Sequence, residues 1–320
     1  MIRPKVLVSK CIEFERCRYN SNIISSETVK VLKDHVDFIP VCAEVEIGLG
    51  IPREPVRLVK ENEQIRLIQP ATDRDLTEKM NDFSNNFIDS LEEIDGIILK
   101  EKSPSCGIKG AKVYNKRDAK KHFEKNSGLF AKRLLESFPY TAIEDEGRLR
   151  NFSIREHFLI NIYTKARFNK IDKNRKIKEL IDFHSDHKYL LMAYDQVLLK
   201  ELGNLLGNFK KGSEDKTFKE YKKILKKALS EIPSYKSHIN AIEHCLGYFK
   251  DRLKKDEKEF FLERLNGFRN GKLPLSVAIS ILRSWIVRFD EPYLKRQVYM
   301  QPYPIELETI KDSGLGRDLK

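Results

Sequence analysis

The stretch KVLVSKCIEFERCRYNSNIISSETVKVLKDHVDFIPVC, residues 5–42, decides the fold. It opens and closes on short β-like apolar runs, KVLVS and VDFIPV. Between them lies SSETVKVLKDH (25–35), where Ser25 or Ser26 can cap a helix whose Val29, Leu32 and His35 share a face. The unit is β-α-β, and such units build parallel sheets with right-handed crossovers. Its two strands deliver Cys11 and Cys42 at or just past their carboxyl ends, and a third run, GIILKEKSPSC (96–106), delivers Cys106 in the same way. In open α/β sheets, sites form in the crevice beyond the carboxyl ends of the strands. Three cysteines far apart in sequence can therefore converge.

The neighbouring segments extend this pattern. VRLVKENEQIRLI (56–68) predicts a hairpin, and ATDRDLTEKMNDFSNNFIDSLEEIDG (71–96) predicts a helix from Thr72 to Gly96. SGLFAKRLLESFPYTAIED (127–145) predicts a helix and a strand, closing the sheet near Glu144 to Glu146. After EDEGRLRN (144–151) the pattern changes to helical period with little strand signal. The helical segments are IREHFLINIYTKARF, KYLLMAYDQVLLKELGNLL, TFKEYKKILKKALSEI, HINAIEHCLGYFKDRLKKDEKEFFLERLNGFRNG and PLSVAISILRSWIVRF. The expected architecture is an α/β, Rossmann-like parallel-sheet domain over residues 1–150, followed by an all-helical domain over 151–320.

Composition narrows the class. A chain of 320 residues exceeds the usual span of one core, and 40% apolar with 34% charged residues describes a folded protein rather than a disordered one. No apolar run reaches membrane-spanning length, and MIRPKVLVSKC lacks the core and cleavage site of a signal peptide, so the expected location is the cytoplasm. The net charge of +12 is uneven: 26 Lys/Arg against 25 Asp/Glu in residues 1–150, but 34 against 23 in residues 151–320. Such a basic half marks either a nucleic-acid partner or ordinary solvated Lys-rich helices. Five cysteines, odd in number and widely spread, make a disulfide framework the weakest reading.

Cys106 sits in EKSPSCG, where Pro104 fixes its own φ, biases Ser103 away from helix, and Gly107 permits a tight turn. Cys42 sits in PVCAEVEIGLGIPREP, where Glu44 follows it closely enough to sit near whatever Cys42 holds and Gly48, Gly50, Pro52 and Pro55 make a rigid irregular loop. Structural zinc usually has four ligands with paired short spacings such as C-x₂₋₄-C, and a thioredoxin-like centre needs C-x-x-C; neither spacing occurs. A cysteine nucleophile needs a basic His whose position the sequence does not assign. Three thiolates with no clear fourth match an iron–sulfur cluster with one iron left open. The competing reading is inert burial of cysteines at strand ends.

The three segments VSKCIEFERCRYN, VCAEVEIGLGIPREP and ILKEKSPSCGIKG, in this order, resemble the thiouracil desulfurase family over roughly residues 4–146. The resemblance implies a 4Fe-4S cluster bound by Cys11, Cys42 and Cys106, with Glu44 and Ser103 acting on the substrate. It further implies removal of sulfur from a thiolated pyrimidine such as 2-thiouracil, without net redox change, at an open cluster iron. Glu44 would deprotonate a water or the substrate nitrogen, and Ser103 would orient the ring or pass a proton. The family pattern has an apolar residue, usually Val, where this chain has Cys17, and Pro where it has Ala43. The helical half resembles the YbgA-like domain in FHSDHKYLLMAYDQ (183–196), in LPLSVAISILRSWIVRFDEPYLKRQVYMQPYPIEL (273–307) and in REHFLINIYTKARF.

Two other functions stay open. One is an RNA-binding protein that acts on or senses thiolated bases in tRNA, with Tyr and Phe among the lysines of TFKEYKKILKK as its supporting feature. The other is a zinc-stabilised scaffold. Lys109 and Arg53 are read as solvated residues able to hold an anionic substrate, His184 and His187 as a polar helix surface or interdomain contact, and Cys245 as a core residue.

Overall fold

The structure is a computed structural model and describes residues 2–308. Strand β1 (Lys5–Ser9) leads through helix α1 (Glu27–Leu32) to β2 (Asp37–Val41). The Ser26 hydroxyl caps α1 by accepting from the amide of Val29, and Val29 and Leu32 are buried beneath it. His35 lies past the end of the helix. Ala43–Glu46 forms a one-turn helix, α2, with Cys42 at its N-cap, and the irregular loop with Gly48, Gly50, Pro52 and Pro55 follows it as expected.

The chain continues through the hairpin β3 (Arg57–Glu61) and β4 (Gln64–Gln69), then β5 (Arg74–Asp75) and helix α3 (Thr77–Ser90). The helix expected from Thr72 thus starts later. Residues 74–75 pair with β4 instead, and Asp75 accepts from the amide of Thr77 to set the turn. It also stops before Gly96, because residues 96–99 form β6 (Gly96–Leu99). β7 (Ala111–Tyr114), β8 (Glu124–Asn126), helix α4 (Leu129–Ser137) and β9 (Ala142–Asp145) complete this half.

Two sheets result. The first, of order β2-β1-β6-β9, is parallel throughout, with β1 in register with both β2 and β6. Val6, Leu7, Val8, Ile97, Ile98 and Leu99 are fully buried, which is why these strands read as continuous apolar runs rather than alternating ones. The second sheet, β5-β4-β3-β7-β8, was legible only in its hairpin. Residues of both sheets and of α3 and α4 share one apolar core that includes Leu7, Leu58, Leu67, Met80, Ile97 and Phe130.

Helix α5 (Phe152–Asp172) begins where the strand pattern ends. The chain divides into two compact units between Ala166 and Arg167, and the described residues 306–308 belong with the first. The initial part of α5 packs on the α/β unit. A Cβ on Gly96 would stand 2.5 Å from Ile162 Cγ2, so glycine at the start of β6 is what admits the helix. Tyr163 donates its hydroxyl to the His35 carbonyl at 3.2 Å.

The second unit is helical: α6 (Ile177–Asp186), α7 (Lys188–Tyr194), α8 (Gln196–Gly207), α9 (Glu214–Ala228), α10 (Tyr235–Leu246), α11 (Lys255–Arg269), α12 (Leu275–Phe289) and the short α13 (Pro292–Lys295). The segment 188–206 is two helices. Asp195 is extended and its carboxylate caps α8 by accepting from the Leu198 amide at 2.9 Å. In α9, Phe218 and Tyr221 are fully buried against Phe168 and Phe183, so the rings that suggested a stacking surface for RNA belong to the core. His187 is likewise no surface residue. It is 2% exposed, stacks on Phe183 and donates from Nδ1 to the Phe183 carbonyl at 2.7 Å. Cys245 is buried as expected. Among the described residues no helix is long and apolar enough to cross a membrane.

Candidate active site

A cavity of about 420 Å³ opens in the α/β unit beyond the carboxyl ends of β1, β2 and β6. Its walls include Cys11, Cys17, Cys42 and Cys106, together with Glu44 and Ser103. All the candidate site residues therefore line one space, and a fourth thiol joins them. Parallel strands explain the convergence, since adjacent strands running in one direction release their following loops on one edge of the sheet.

Each loop is held by its own backbone bonds. Cys11 accepts from the amide of Ile24 at 2.8 Å, which pins the long β1–α1 connection at the cavity floor. The Cys42 carbonyl accepts from Val45 and Glu46 at 3.0 Å as α2 begins. In SPSCG, the Ser103 hydroxyl oxygen accepts from the amides of Ser105 (3.2 Å) and Cys106 (3.1 Å), leaving its proton available to the cavity. The Pro104 and Ser105 carbonyls in turn accept from Leu129 and Ala131 at the start of α4. This docking is so close that a Cβ on Gly128 would lie 2.5 Å from the Ser105 carbonyl.

Glu44 is fixed from both sides. Arg53 donates to Oε2 from Nε (2.9 Å) and Nη2 (2.7 Å), and the Ser105 hydroxyl donates to Oε1 at 2.9 Å. The Arg53 and Glu44 side chains are 6% and 14% exposed, so Arg53 is a buried partner and not the solvated residue expected. Arg53 also donates to the carbonyls of Cys17 (2.9 Å) and Gly50 (3.2 Å). Ser105, fully buried, was missed altogether. The serine repeated on either side of Pro104 was the available signal. Lys109 is exposed and stands apart from the cavity wall, as expected.

Lys10, Lys100 and Lys102 contribute to the wall, paired with Glu15, Glu146 and Glu101 respectively. Tyr19 is 42% exposed on the same wall, with the Arg18 guanidinium 5.5 Å from its ring centroid. Burial pushes the Cys106 thiol up to about 12. The thiol of Cys17 is raised to about 11, chiefly by its hydrogen bond with Cys11, and that of Cys42 is raised by its hydrogen bond with Cys17 and by burial. Thiolates in such a pocket need a cation beside them.

The donor set fits an iron–sulfur cluster. All four cysteines of the cavity are free thiols. Among the described residues, no three His, Cys, Asp or Glu side chains converge on a single ion. A cluster takes one thiolate per iron, so thiols spread around one cavity are the soft donor set it would need.

An α/β domain with a cysteine-ringed crevice at its strand ends, followed by a helical unit, defines the class. The family described as 2-thiouracil desulfurase matches residues 6–146, and a family described as protein of unknown function (DUF1722) matches residues 188–304. The uncharacterized protein YbbK of Bacillus subtilis (strain 168) is 33% identical over 109 residues, covering 32% of this chain and 72% of that protein. The uncharacterized protein YbgA of Escherichia coli (strain K12) is 21% identical over 159 residues, covering 49% of this chain and 94% of that protein. A solved structure of the 4Fe-4S-dependent thiouracil desulfidase TudS is 24% identical, covers 46% of this chain and 93% of its own, and superposes with a TM-score of 0.37. The chain belongs to the 2-thiouracil desulfurase family in its N-terminal half, with a YbgA-like DUF1722 region in its C-terminal half.

Proposed function

We propose that this protein removes sulfur from thiolated pyrimidines such as 2-thiouracil, giving the oxo-pyrimidine and sulfide by net hydrolysis. Cys11, Cys42 and Cys106 would hold a 4Fe-4S cluster, and Glu44 and Ser103 would act on the substrate. The observation that carries the reading is the single cavity lined by three strand-end cysteines together with Glu44 and Ser103. A three-thiolate cluster supplies a soft Lewis-acidic iron with no protein ligand, matched to a thiocarbonyl sulfur.

The chain's own groups account for the remaining chemistry. Ser103, whose oxygen already accepts two amides, directs its proton to a ring oxygen or nitrogen of the substrate. Glu44 keeps the second lone pair of Oε1 for a water or a ring N–H while Arg53 and Ser105 fix its carboxylate plane. The exposed face of Tyr19 offers a stacking surface for a pyrimidine.

Anaerobic purification and cluster reconstitution, with iron and sulfide counts and 2-thiouracil turnover, test this. The expected result is a brown protein that loses its cluster in Cys11→Ala, Cys42→Ala and Cys106→Ala and releases uracil and sulfide. A colourless protein holding zinc would overturn it in favour of the scaffold.

A further inference from the structure

Five cations line the cavity: Lys10, Arg18, Arg53, Lys100 and Lys102. Lys10 and Lys102 reach solvent, with side chains 36% and 70% exposed, and Arg18 lies against the Tyr19 ring. Arg53 is engaged by Glu44 and by the carbonyls of Cys17 and Gly50. Lys100 differs from all four. It is the first residue past β6, and its amide donates to the Ser9 hydroxyl oxygen at 3.0 Å. It therefore stands beside the adjacent strand ends that deliver Cys11 and Cys106. Its side chain is 19% exposed. Glu146, 5% exposed and outside the cavity wall, accepts from the ammonium at Oε1 and from the Glu101 amide at Oε2 (2.9 Å). A second ammonium donor goes to the Glu101 carbonyl at 3.1 Å. An ammonium has three donors, so one remains for an occupant of the cavity.

We infer that Lys100, held by Glu146, is a catalytic residue that stabilises negative charge on the departing sulfur. The inference rests on the function proposed above. A buried ion pair contributes little net stability compared with apolar groups of the same shape, so its place at the wall calls for another reason. The reaction supplies one. As the water oxygen bonds the ring carbon, one water proton passes to Glu44 and the C=S π pair moves onto sulfur. When the C–S bond breaks, its pair leaves with the sulfur, which takes the second water proton and departs as hydrosulfide. Glu44 then returns its proton to solvent, and no electron is transferred. Negative charge thus gathers on sulfur only during reaction, in a cavity already ringed by ligand thiolates. A buried, fixed cation there favours the transition state over the bound substrate.

The test uses the full chain, reconstituted anaerobically, as wild type, Lys100→Arg, and Lys100→Met combined with Glu146→Gln, which leaves no buried charge unpaired. Iron counts, steady-state 2-thiouracil kinetics and a sodium sulfide titration followed by the visible absorption of the cluster are read on each. The expected result is equal iron content, with kcat about 10²-fold lower in the double variant and KM within about twofold of wild type. Sulfide should bind more weakly to the double variant, and Lys100→Arg should restore part of both losses. An unchanged kcat overturns the inference whatever KM does, and so does unchanged sulfide binding. Loss of iron in the double variant overturns it as well, because the pair would then hold the fold and not the sulfur. A wild-type chain that takes up no cluster overturns the proposed function and this inference together, whereas a clustered, active chain whose double variant is equally fast overturns this inference alone.

Discussion

Arg53→Met removes a buried guanidinium while keeping most of the side chain's volume, and its consequence can be worked from the geometry. Glu44, 14% exposed, loses both bonds to Oε2 and keeps only the Ser105 hydroxyl at Oε1. Breaking one partner of a buried pair costs about 3–5 kcal/mol, because the remaining charge stays desolvated. The carbonyls of Cys17 and Gly50 also lose their donor, at about 1 kcal/mol each before relaxation. The double variant Arg53→Met with Glu44→Gln removes the orphaned charge and should recover a large part of this loss. The assay is denaturant unfolding followed by far-ultraviolet circular dichroism, run as a double-mutant cycle. A loss below about 1 kcal/mol in Arg53→Met, or additivity within about 0.5 kcal/mol, would refute the claim that this pair holds Glu44 in place.

Other variants probe separate parts of the structure. Ser105→Ala deletes the second anchor of Glu44 and should cost about 1.5–3 kcal/mol while lowering 2-thiouracil turnover in steady-state assays. Gly128→Ala drives a Cβ into the Ser105 carbonyl and should displace the loop carrying Cys106, read as reduced iron content after reconstitution. Gly96→Ala forces a clash with Ile162 and should destabilise by about 1–3 kcal/mol in the same denaturant assay. Burial lowers His187 from 6.5 to about 3, with Arg167 and His184 adding to the effect. The unfolded chain therefore binds a proton that the folded chain refuses, so stability falls as pH drops from 6.5 towards 3, by about 1.4 kcal/mol per unit well inside that window. His187→Phe should flatten that part of the stability–pH curve, and an unchanged slope would refute the assignment.

The parallel sheet was legible because strands buried on both faces carry unbroken apolar runs, and the meeting of Cys11, Cys42 and Cys106 followed from topology alone. β5, β7 and β8 escaped notice because they are two to four residues long; RD and EKN contain no apolar residue, and AKVY is too short for its alternation to stand out. Arg53 and Ser105 were misjudged or missed because their burial comes from partners distant in sequence, Ser105 lying 61 residues from Glu44. His187 was read as a polar helix surface or interdomain contact because Asp186 and Lys188 flank it. It sits at the junction of α6 and α7, where the chain breaks period and turns the ring inward. Phe218 and Tyr221 show the same lesson in reverse, since an aromatic among lysines on an amphipathic helix marks the buried stripe more often than a ligand surface.

Helix α5 has a practical bearing on how this protein can be dissected. Phe158, Ile162 and Tyr163 are buried within the α/β unit although they lie beyond both the strand-bearing sequence and the matched residues 6–146. A recombinant fragment trimmed at the edge of the family match would leave the surface around Gly96 bare, and exposed apolar surface of that kind favours aggregation. A fragment meant to carry the cysteine crevice alone should keep the helix through Ala166, so that the amputated piece retains its own lining.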